Sequence, residues 1–353
     1  MNRIHSLRIH KKYIYKRSLI TTSLVKVEFY KFFGGRDMQK KVLLFTDLGI
    51  DDAFAILYIF FRKDIQLVGI VADYGNVSRE NVIRNINYLK YIAGREEIPV
   101  FLGASVPLTG ILIQYFPEVH GKVGLGPIIP PEISYPVYPL NDIYQIIESN
   151  LEDLTIINLG RLSSLATTFV LNLETMRNVR ECICMGGAFF YPGNVTAVAE
   201  ANFYADPYAA NLILQHAKNL TIIPLNVTQH AIVTPEMVQQ IDAFHRNTQD
   251  LAGLIIKPML DYYYNFYSKS NPGISGSPMH DFVTVWYLLN QEAVSLSRVP
   301  IKVIPDQGEG FGQSIADFRF VTNPGYKTHN VAFQFDYEWF KKDIMETFLK
   351  KRV

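Results

Sequence analysis

The chain has 353 residues, 48% of them hydrophobic, and a formal net charge of +1. That length suits one large α/β domain or two smaller ones, and the near-neutral balance provides neither a basic field for nucleic acid nor an acidic tail. No apolar run approaches the ~18 residues of a membrane span, so neither nucleic acid nor membrane is an expected partner.

Charge is unevenly placed along the chain. Residues 1–37 hold nine Lys or Arg against Glu28 and Asp37, a local +7 that leaves −6 for residues 38–353 out of the total of +1. This segment is basic and acid-poor like a targeting peptide, but it lacks a clean apolar core and a small-residue cleavage site. A surface-binding arm is a second reading. We favour a third, in which residues 1–37 do not belong to the working protein. Met38 stands just before the first strand, and Gly34-Gly35-Arg36 is what a purine-rich ribosome-binding site encodes when read in frame. Disorder is expected over 1–37 and one domain over 38–353.

The body opens on the stretch around which the rest is organised, Val42 to Phe60. The apolar run Val42-Leu43-Leu44-Phe45 reads as a buried strand. Leu48-Gly49-Ile50 is a tight turn, and Asp51-Asp52 open an apolar helix. Asp47, Asp51 and Asp52 thus gather at the carboxyl edge of a sheet, where ligands bind in open α/β folds. Two of these acids are explained as first-turn carboxylates complementing a helix dipole, worth ~0.3–1 kcal/mol each. Asp47 at the strand end is not. The sharper alternative is a site for a hard cation, calcium or magnesium rather than zinc, because no Cys or His lies nearby in sequence.

Ile65–Asp73 reads as a second strand, and Ser78 caps a helix to about Ala93. Asn76 therefore sits at a second strand-to-helix junction on the same edge, either as a turn former or as a hydroxyl binder. Pro99–Gly103 is a short strand. The Pro- and Gly-rich stretch from Pro107 to Pro139 is a long loop of the functional or mobile kind; its His120 either lines a pocket or, more commonly for a loop histidine, faces solvent.

Leu154–Leu159 is another buried strand, followed by Gly160-Arg161 and a helix. Cys182 and Cys184 alternate in an apolar strand, so both point to one face as buried thiols. Two such cysteines give no disulfide framework and fit a reducing compartment, so the cytoplasm is the expected location. After Gly186-Gly187 come Asn194, Glu200 and Asn202, polar groups among Ala, Val and Phe that suit recognition of a polyol.

Leu220–Leu225 is a further strand. Helices follow over Pro235–Phe244 and about Gln249–Tyr267, the second ending in a tyrosine-rich cluster that is either a packing seam or a platform for a planar base. His280-Asp281 start another helix. From Val299 the chain reads as short strands and a final helix near Tyr337–Phe348. The glycine-spaced loop Gly308–Gly312 is no dinucleotide fingerprint, since no helix follows it. The fold class expected is α/β, a mostly parallel central sheet flanked by helices in a single domain.

Taken in order, Asp47-Leu48-Gly49-Ile50-Asp51-Asp52, Gly75-Asn76-Val77, Met185-Gly186-Gly187, Gly193-Asn194-Val195-Thr196 with Glu200 and Asn202, and His280-Asp281 resemble the inosine–uridine-preferring nucleoside hydrolase family across nearly all of residues 38–353. The resemblance implies a Rossmann-like fold and a calcium ion held by Asp47, Asp51, Asp52, Asp281 and the backbone carbonyl of Leu159. The remaining coordination positions go to water and two ribose hydroxyls, which brings Asp51 and Asp281 against the substrate. Asn76, Asn194, Glu200 and Asn202 match ribose-binding positions. Asp47 matches the base for the attacking water and His280 the acid for the leaving base.

The resemblance further implies a small-molecule ribonucleoside substrate, a place in purine or pyrimidine salvage, and a homodimer or homotetramer. The chain departs from the family pattern at Phe45, where an acid is common, at Asn226, often Asp, and over Leu159–Ser164, where a Thr-Gly-Pro-Leu-Thr-Asn run is usual.

The expected activity is calcium-dependent hydrolysis of the N-glycosidic bond, giving free base and ribose. A catalytically silent nucleoside or ribose binder on the same fold is the alternative from another class, and hydrolysis of another N-riboside a third. Retention of both Asp47 and His280 favours an enzyme. A metal-dependent phosphatase lacks its phosphate-cradling glycine loop here. Mass spectrometry of the native protein is expected to place its first residue at Met38; peptides from residues 1–37 would contradict that start.

Overall fold

Strand β1 (Lys40–Thr46) is buried on both faces from Val42 onward. Its alternation divides the core: Val42 and Leu44 point into one apolar cluster, Leu43 and Phe45 into a second on the other face of the sheet. Such a two-sided apolar strand belongs in the middle of a parallel sheet covered by helices. A computed structural model, describing residues 39–321 and 323–352, shows that arrangement. The segment 1–37 lies outside the described residues.

The strands after β1 are β2 (Ile65–Ala72), β3 (Val100–Leu102), β4 (Val137–Tyr138), β5 (Leu154–Asn158), β6 (Glu181–Met185), β7 (Leu220–Ile223), β8 (Ile232–Val233), β9 (Ser277–Pro278), β10 (Val294–Val303), β11 (Ser314–Ala316) and β12 (Lys327–Phe335). Ten of them form one sheet in the order β11-β10-β12-β7-β6-β5-β1-β2-β3-β4, while β8 and β9 make a separate two-stranded ribbon. Pairing is parallel from β4 across to β12, and only β12–β10 and β10–β11 are antiparallel. The expected mostly parallel, helix-flanked single-domain fold is thus observed. The region past Val299 contains one short strand, the three-residue β11, but also the nine-residue β12 and the end of the ten-residue β10, which widen the main sheet.

The order of strands fixes where a ligand can sit. From β1 the chain adds β2, β3 and β4 on one side, then returns to place β5, β6 and β7 on the other. β1 and β5 are neighbours with connections running in opposite directions, a topological switch point that opens a crevice beyond their carboxyl ends.

Helix α1 (Ile50–Phe60) follows β1 and is buried along all 11 residues. A helix that is buried all round needs cover on every side. Part of that cover is helix α2 (His280–Tyr287), whose Phe282 meets Phe54 edge-on at 5.0 Å between ring centroids and Tyr58 at 5.0 Å. This aromatic contact holds the first turns of two helices together, and those turns carry Asp51-Asp52 and His280-Asp281. Among the described residues no helix is long and apolar enough to cross a membrane.

Replacing Phe282 with Ala removes the edge-to-face contacts and leaves a cavity. Urea denaturation is expected to show a loss of about 3–5 kcal/mol; a loss below about 1 kcal/mol would mean that the α1–α2 contact is not a main support.

Candidate active site

Asp47 follows the last residue of β1 and lies in the crevice of the switch point. Its carboxylate is held by Asn76, whose backbone N–H donates to Oδ2 at 2.9 Å and whose side-chain amide donates to Oδ1 at 3.2 Å. Glycines on both flanks make room for it. A Cβ at Gly75 would stand 1.8 Å from Asp47 Oδ2, and one at Gly160 2.6 Å from its Cγ. Asp52 lies deeper, fully buried: Thr46 Oγ1 donates to its Oδ1 at 2.6 Å, and Gly49 N–H and the Asn76 amide donate to its Oδ2 at 2.8 and 3.2 Å. It is thus tied to the end of β1 and to the start of its own helix.

Oxygens of Asp51, Asp52 and Asp281 lie within 4.8 Å of one another, and all three residues are buried; Asp47 is not in that group. Like charges this close, out of water, oppose ionisation. Burial, reinforced by Asp52, pushes Asp51 up to about 7. Asp47 is pushed well above the usual carboxylate range by burial and then by Asp52, with Arg161 opposing. Asp281 is raised by burial and by Asp51, Asp52 and Asp47.

Asp51 Oδ1 is sealed from solvent and has no hydrogen-bond partner. His120 Nδ1 is 3.9 Å from it, but the pair is no ion pair. That nitrogen accepts the Ile50 N–H at 3.1 Å, and burial holds the imidazole down to about 3. An orphaned buried oxygen inside a cluster of hard oxygen donors is what a divalent cation would complete, so the residues present fit a calcium- or magnesium-type ion.

Above the acids is a cavity of about 390 Å³, lined by Asp47, Asp51, Asn76, Leu159, Asn194, Glu200, Asn202, His280 and Asp281. Every candidate residue read from the sequence therefore borders this space except Asp52, which lies beneath it. Glu200 caps the short helix Ala201–Ala205. Its Oε2 accepts from the N–H groups of Gly187 and Phe203 at 2.9 and 3.1 Å, and its Oε1 from Asn202 N–H at 2.8 Å. Burial still raises its pKa. Asn194 accepts the Ala201 N–H at 3.0 Å, tying its loop to that helix. The Asn202 amide donates to the Leu159 carbonyl at 2.7 Å.

His280 is 6% exposed, with Thr228 Oγ1 at 2.8 Å from Nδ1 and the Tyr267 hydroxyl at 3.1 Å from Nε2. Burial holds it down to about 4, so the ring is neutral near pH 7.

Several wall residues were left open by the sequence, and others were not anticipated. His120 does not face solvent: it is 6% exposed, borders the cavity and lies against the Tyr263 ring at 5.6 Å. The tyrosine-rich helix is a packing seam in part, since Tyr263 belongs to the core, and Tyr263, Phe266 and Tyr267 also border the cavity. Arg161, Gln114 and Phe116, not singled out from the sequence, also border it. Of the departures, Phe45 is core, and Asn226 clamps the backbone of Phe189, accepting its N–H at 3.0 Å and donating to its carbonyl at 2.6 Å.

Sheet, switch point and acid cluster together define an α/β protein with a polar, carboxylate-floored pocket at the carboxyl edge. The family described as inosine-uridine preferring nucleoside hydrolase matches residues 42–342. The inosine-uridine preferring nucleoside hydrolase of Crithidia fasciculata is 30% identical over 86% of this chain and 95% of its own length. The pyrimidine-specific ribonucleoside hydrolase RihB of Shigella sonnei is 28% identical over 86% of this chain and 95% of its own. Among solved structures, a purine-preferring ribonucleoside hydrolase from Gardnerella vaginalis aligns with a TM-score of 0.80 at 27% identity, covering 88% of this chain and 98% of that one. The chain belongs to the inosine-uridine preferring nucleoside hydrolase family and is an N-ribohydrolase.

The raised acids make stability depend on pH in a definite direction. In cation-free folded protein Asp51 and Asp73, each pushed up to about 7 chiefly by burial, keep protons that the unfolded chain releases near ~3.9. Their contribution is complete below the unfolded value and is lost as pH rises through 7. The buried His120 and His280, held neutral in the fold, act in the opposite sense up to their unfolded value near ~6.5. Calorimetry of chelator-treated protein should therefore show Tm falling between about pH 6.5 and 8, with added calcium recovering much of the loss at the upper end. A Tm that rises over that range in chelator would contradict this electrostatic picture.

Proposed function

We propose that this chain is a calcium-dependent ribonucleoside hydrolase releasing free base and ribose. The observation that carries the reading is the buried carboxylate cluster, with its partnerless Asp51 oxygen, placed under the cavity that Asn76, Asn194, Asn202 and His280 border. Asp47, Asp51, Asp52, Asp281 and the Leu159 carbonyl would hold the cation. A set this rich in carboxylates, with a backbone carbonyl, suits calcium better than magnesium, which keeps more of its water. When bound, the cation neutralises the acids and polarises water and hydroxyl oxygens as a Lewis acid.

The chain's own groups do the rest. Asp47, oriented by two N–H donors from Asn76, accepts a proton from the water that attacks the anomeric carbon. As the C–O bond forms, the C–N bond breaks and its electron pair leaves with the base, which departs as an anion hydrogen-bonded by His280 and takes a proton from solvent to become the free base. Positive charge builds on the sugar ring during this step, as in other glycoside hydrolyses, and the surrounding carboxylates stabilise it. Asn194, Glu200 and Asn202, with Asp51 and Asp281, bind the ribose hydroxyls. Three backbone N–H donors fix the Glu200 carboxylate for that purpose.

His280 is assigned to the leaving base. Because burial keeps it neutral, it acts by hydrogen-bond donation from the ring N–H through the contact region it shares with Tyr267, not from a standing imidazolium. Tyr263, Phe266 and Tyr267 supply an aromatic wall that stacks on purines or pyrimidines alike. Relatives at 27–30% identity carry purine-preferring, pyrimidine-specific and inosine-uridine names, so similarity does not select the base. The same reading carries a cytoplasmic salvage enzyme assembled as a dimer or tetramer, supported by the family resemblance and by the free thiols of Cys182 and Cys184.

The test is sugar release from inosine, uridine, cytidine and adenosine, with calcium and after chelation. Calcium-dependent release from at least one is expected, and none from folded, calcium-loaded protein would overturn the reading in favour of a binder or another N-riboside. In the active protein His280→Ala should cost about 10²–10⁴-fold in kcat on the hydrolysed nucleoside. It should cost far less on p-nitrophenyl riboside, whose leaving group needs no proton. Equal losses on both would remove His280 from the leaving-group role.

A further inference from the structure

Arg161 is a charged side chain only 4% exposed, bordering the cavity beside Phe116, whose ring lies 6.0 Å from the guanidinium carbon. Among the described residues its one hydrogen bond runs from Nη1–H to Asn202 Oδ1 at 2.9 Å. Nε stands 3.9 Å from Asp47 Oδ2, close enough for charge attraction but too far for a hydrogen bond. A guanidinium has five N–H donors. Those left over are not sealed away, in contrast to the buried, partnerless Nε atoms of Arg79 and Arg84. Because Arg161 borders the cavity, they are available to a ligand there.

The contact with Asn202 has a consequence for that amide. Its Nδ2 donates to the Leu159 carbonyl at 2.7 Å and to the Met185 carbonyl at 3.3 Å, which uses both hydrogens. Two carbonyls on one side and a guanidinium on the other also fix which end of the amide is oxygen. What remains for a ligand is one lone pair on Oδ1. Asn202 can accept a hydrogen bond from a sugar hydroxyl but has no N–H to give one.

We propose that Arg161 is the substrate-contacting donor on this side of the pocket, directing its free N–H groups at a ribose hydroxyl oxygen, while Asn202 is the positioning residue that aims it. The inference rests on the reading of the cavity as a ribonucleoside site. It makes Arg161 a determinant of sugar specificity: a donor-only group rewards a sugar that places an acceptor oxygen there and leaves a buried cation unpaired against one that does not. The nearby Asp47 supplies the countercharge that makes a buried guanidinium tolerable without consuming its donors.

The experiment uses the 2′-, 3′- and 5′-deoxy forms of whichever nucleoside the wild-type protein hydrolyses, measured as competitive inhibitors so that turnover is not required. Wild-type protein that hydrolyses no nucleoside would refute the underlying reading, a result separate from any outcome below. With an active wild type, one deoxy form is expected to bind about 10- to 100-fold more weakly than the full ribonucleoside, the range for hydrogen bonds to a charged group. Arg161→Met should raise KM by a similar factor with a smaller change in kcat, and should reduce discrimination against that one deoxy form while leaving discrimination against the others unchanged. Arg161→Lys, which keeps the charge but loses the fork, should recover part of the affinity and serves if the Met variant does not fold. Equal weakening of every deoxy form and of the parent nucleoside in the variants would show a merely structural arginine and overturn the proposal, as would unchanged KM.

Discussion

The constraint on which this structure depends is electrostatic. Asp51, Asp52 and Asp281 are buried around one point with Asp47 buried nearby, and burial combined with repulsion from neighbouring acids opposes the ionisation of Asp47, Asp51 and Asp281. The protein spends several backbone and side-chain donors on them: Asn76 serves both Asp47 and Asp52, and Thr46 and Gly49 serve Asp52. One oxygen of Asp51 receives nothing. Donors can orient carboxylates, but they do not supply the net positive charge that four of them need. An oxygen-seeking divalent cation does.

The fold is arranged so that these acids meet although they are far apart in sequence. Strand order reverses at β1, which opens the crevice; the glycines at 75 and 160 let Asp47 enter it; and the Phe54–Phe282 contact brings the start of α2 beside the start of α1. Packing thus sets the distance between charges. A change in the aromatic seam, well away from any ligand, would be felt at Asp51 and Asp281, because both sit in the first turns of the helices that the seam joins.

Much of this was legible in the sequence because the local signals were strong. An apolar run, a glycine turn and paired acids at a helix start place Asp47, Asp51 and Asp52 with no tertiary information, and the parallel sheet follows from strands alternating with helices. What remained hidden depended on approach in space. His120, which by sequence could either line a pocket or face solvent, ends the short helix Pro117–His120 and turns inward, its Nδ1 accepting the Ile50 N–H. Arg161 sits in a strand-to-helix turn where a basic residue ordinarily reaches solvent, and only the positions of Asn202 and Asp47 reveal why it is buried. The late strand β10 reads as shorter than it is because exposed polar residues, Ser295, Ser297 and Arg298, interrupt its apolar ones.

The most direct test of the account is calorimetric titration of chelator-treated protein with calcium at pH 7, repeated in two buffers of different ionisation heat. The account predicts one saturable site per chain and a heat that differs between buffers, because carboxylates held partly protonated by burial release protons when the cation binds. Weakened binding in Asp51→Asn would tie that site to the cluster. Absence of saturable binding to folded protein, or binding that Asp51→Asn leaves untouched, would contradict it.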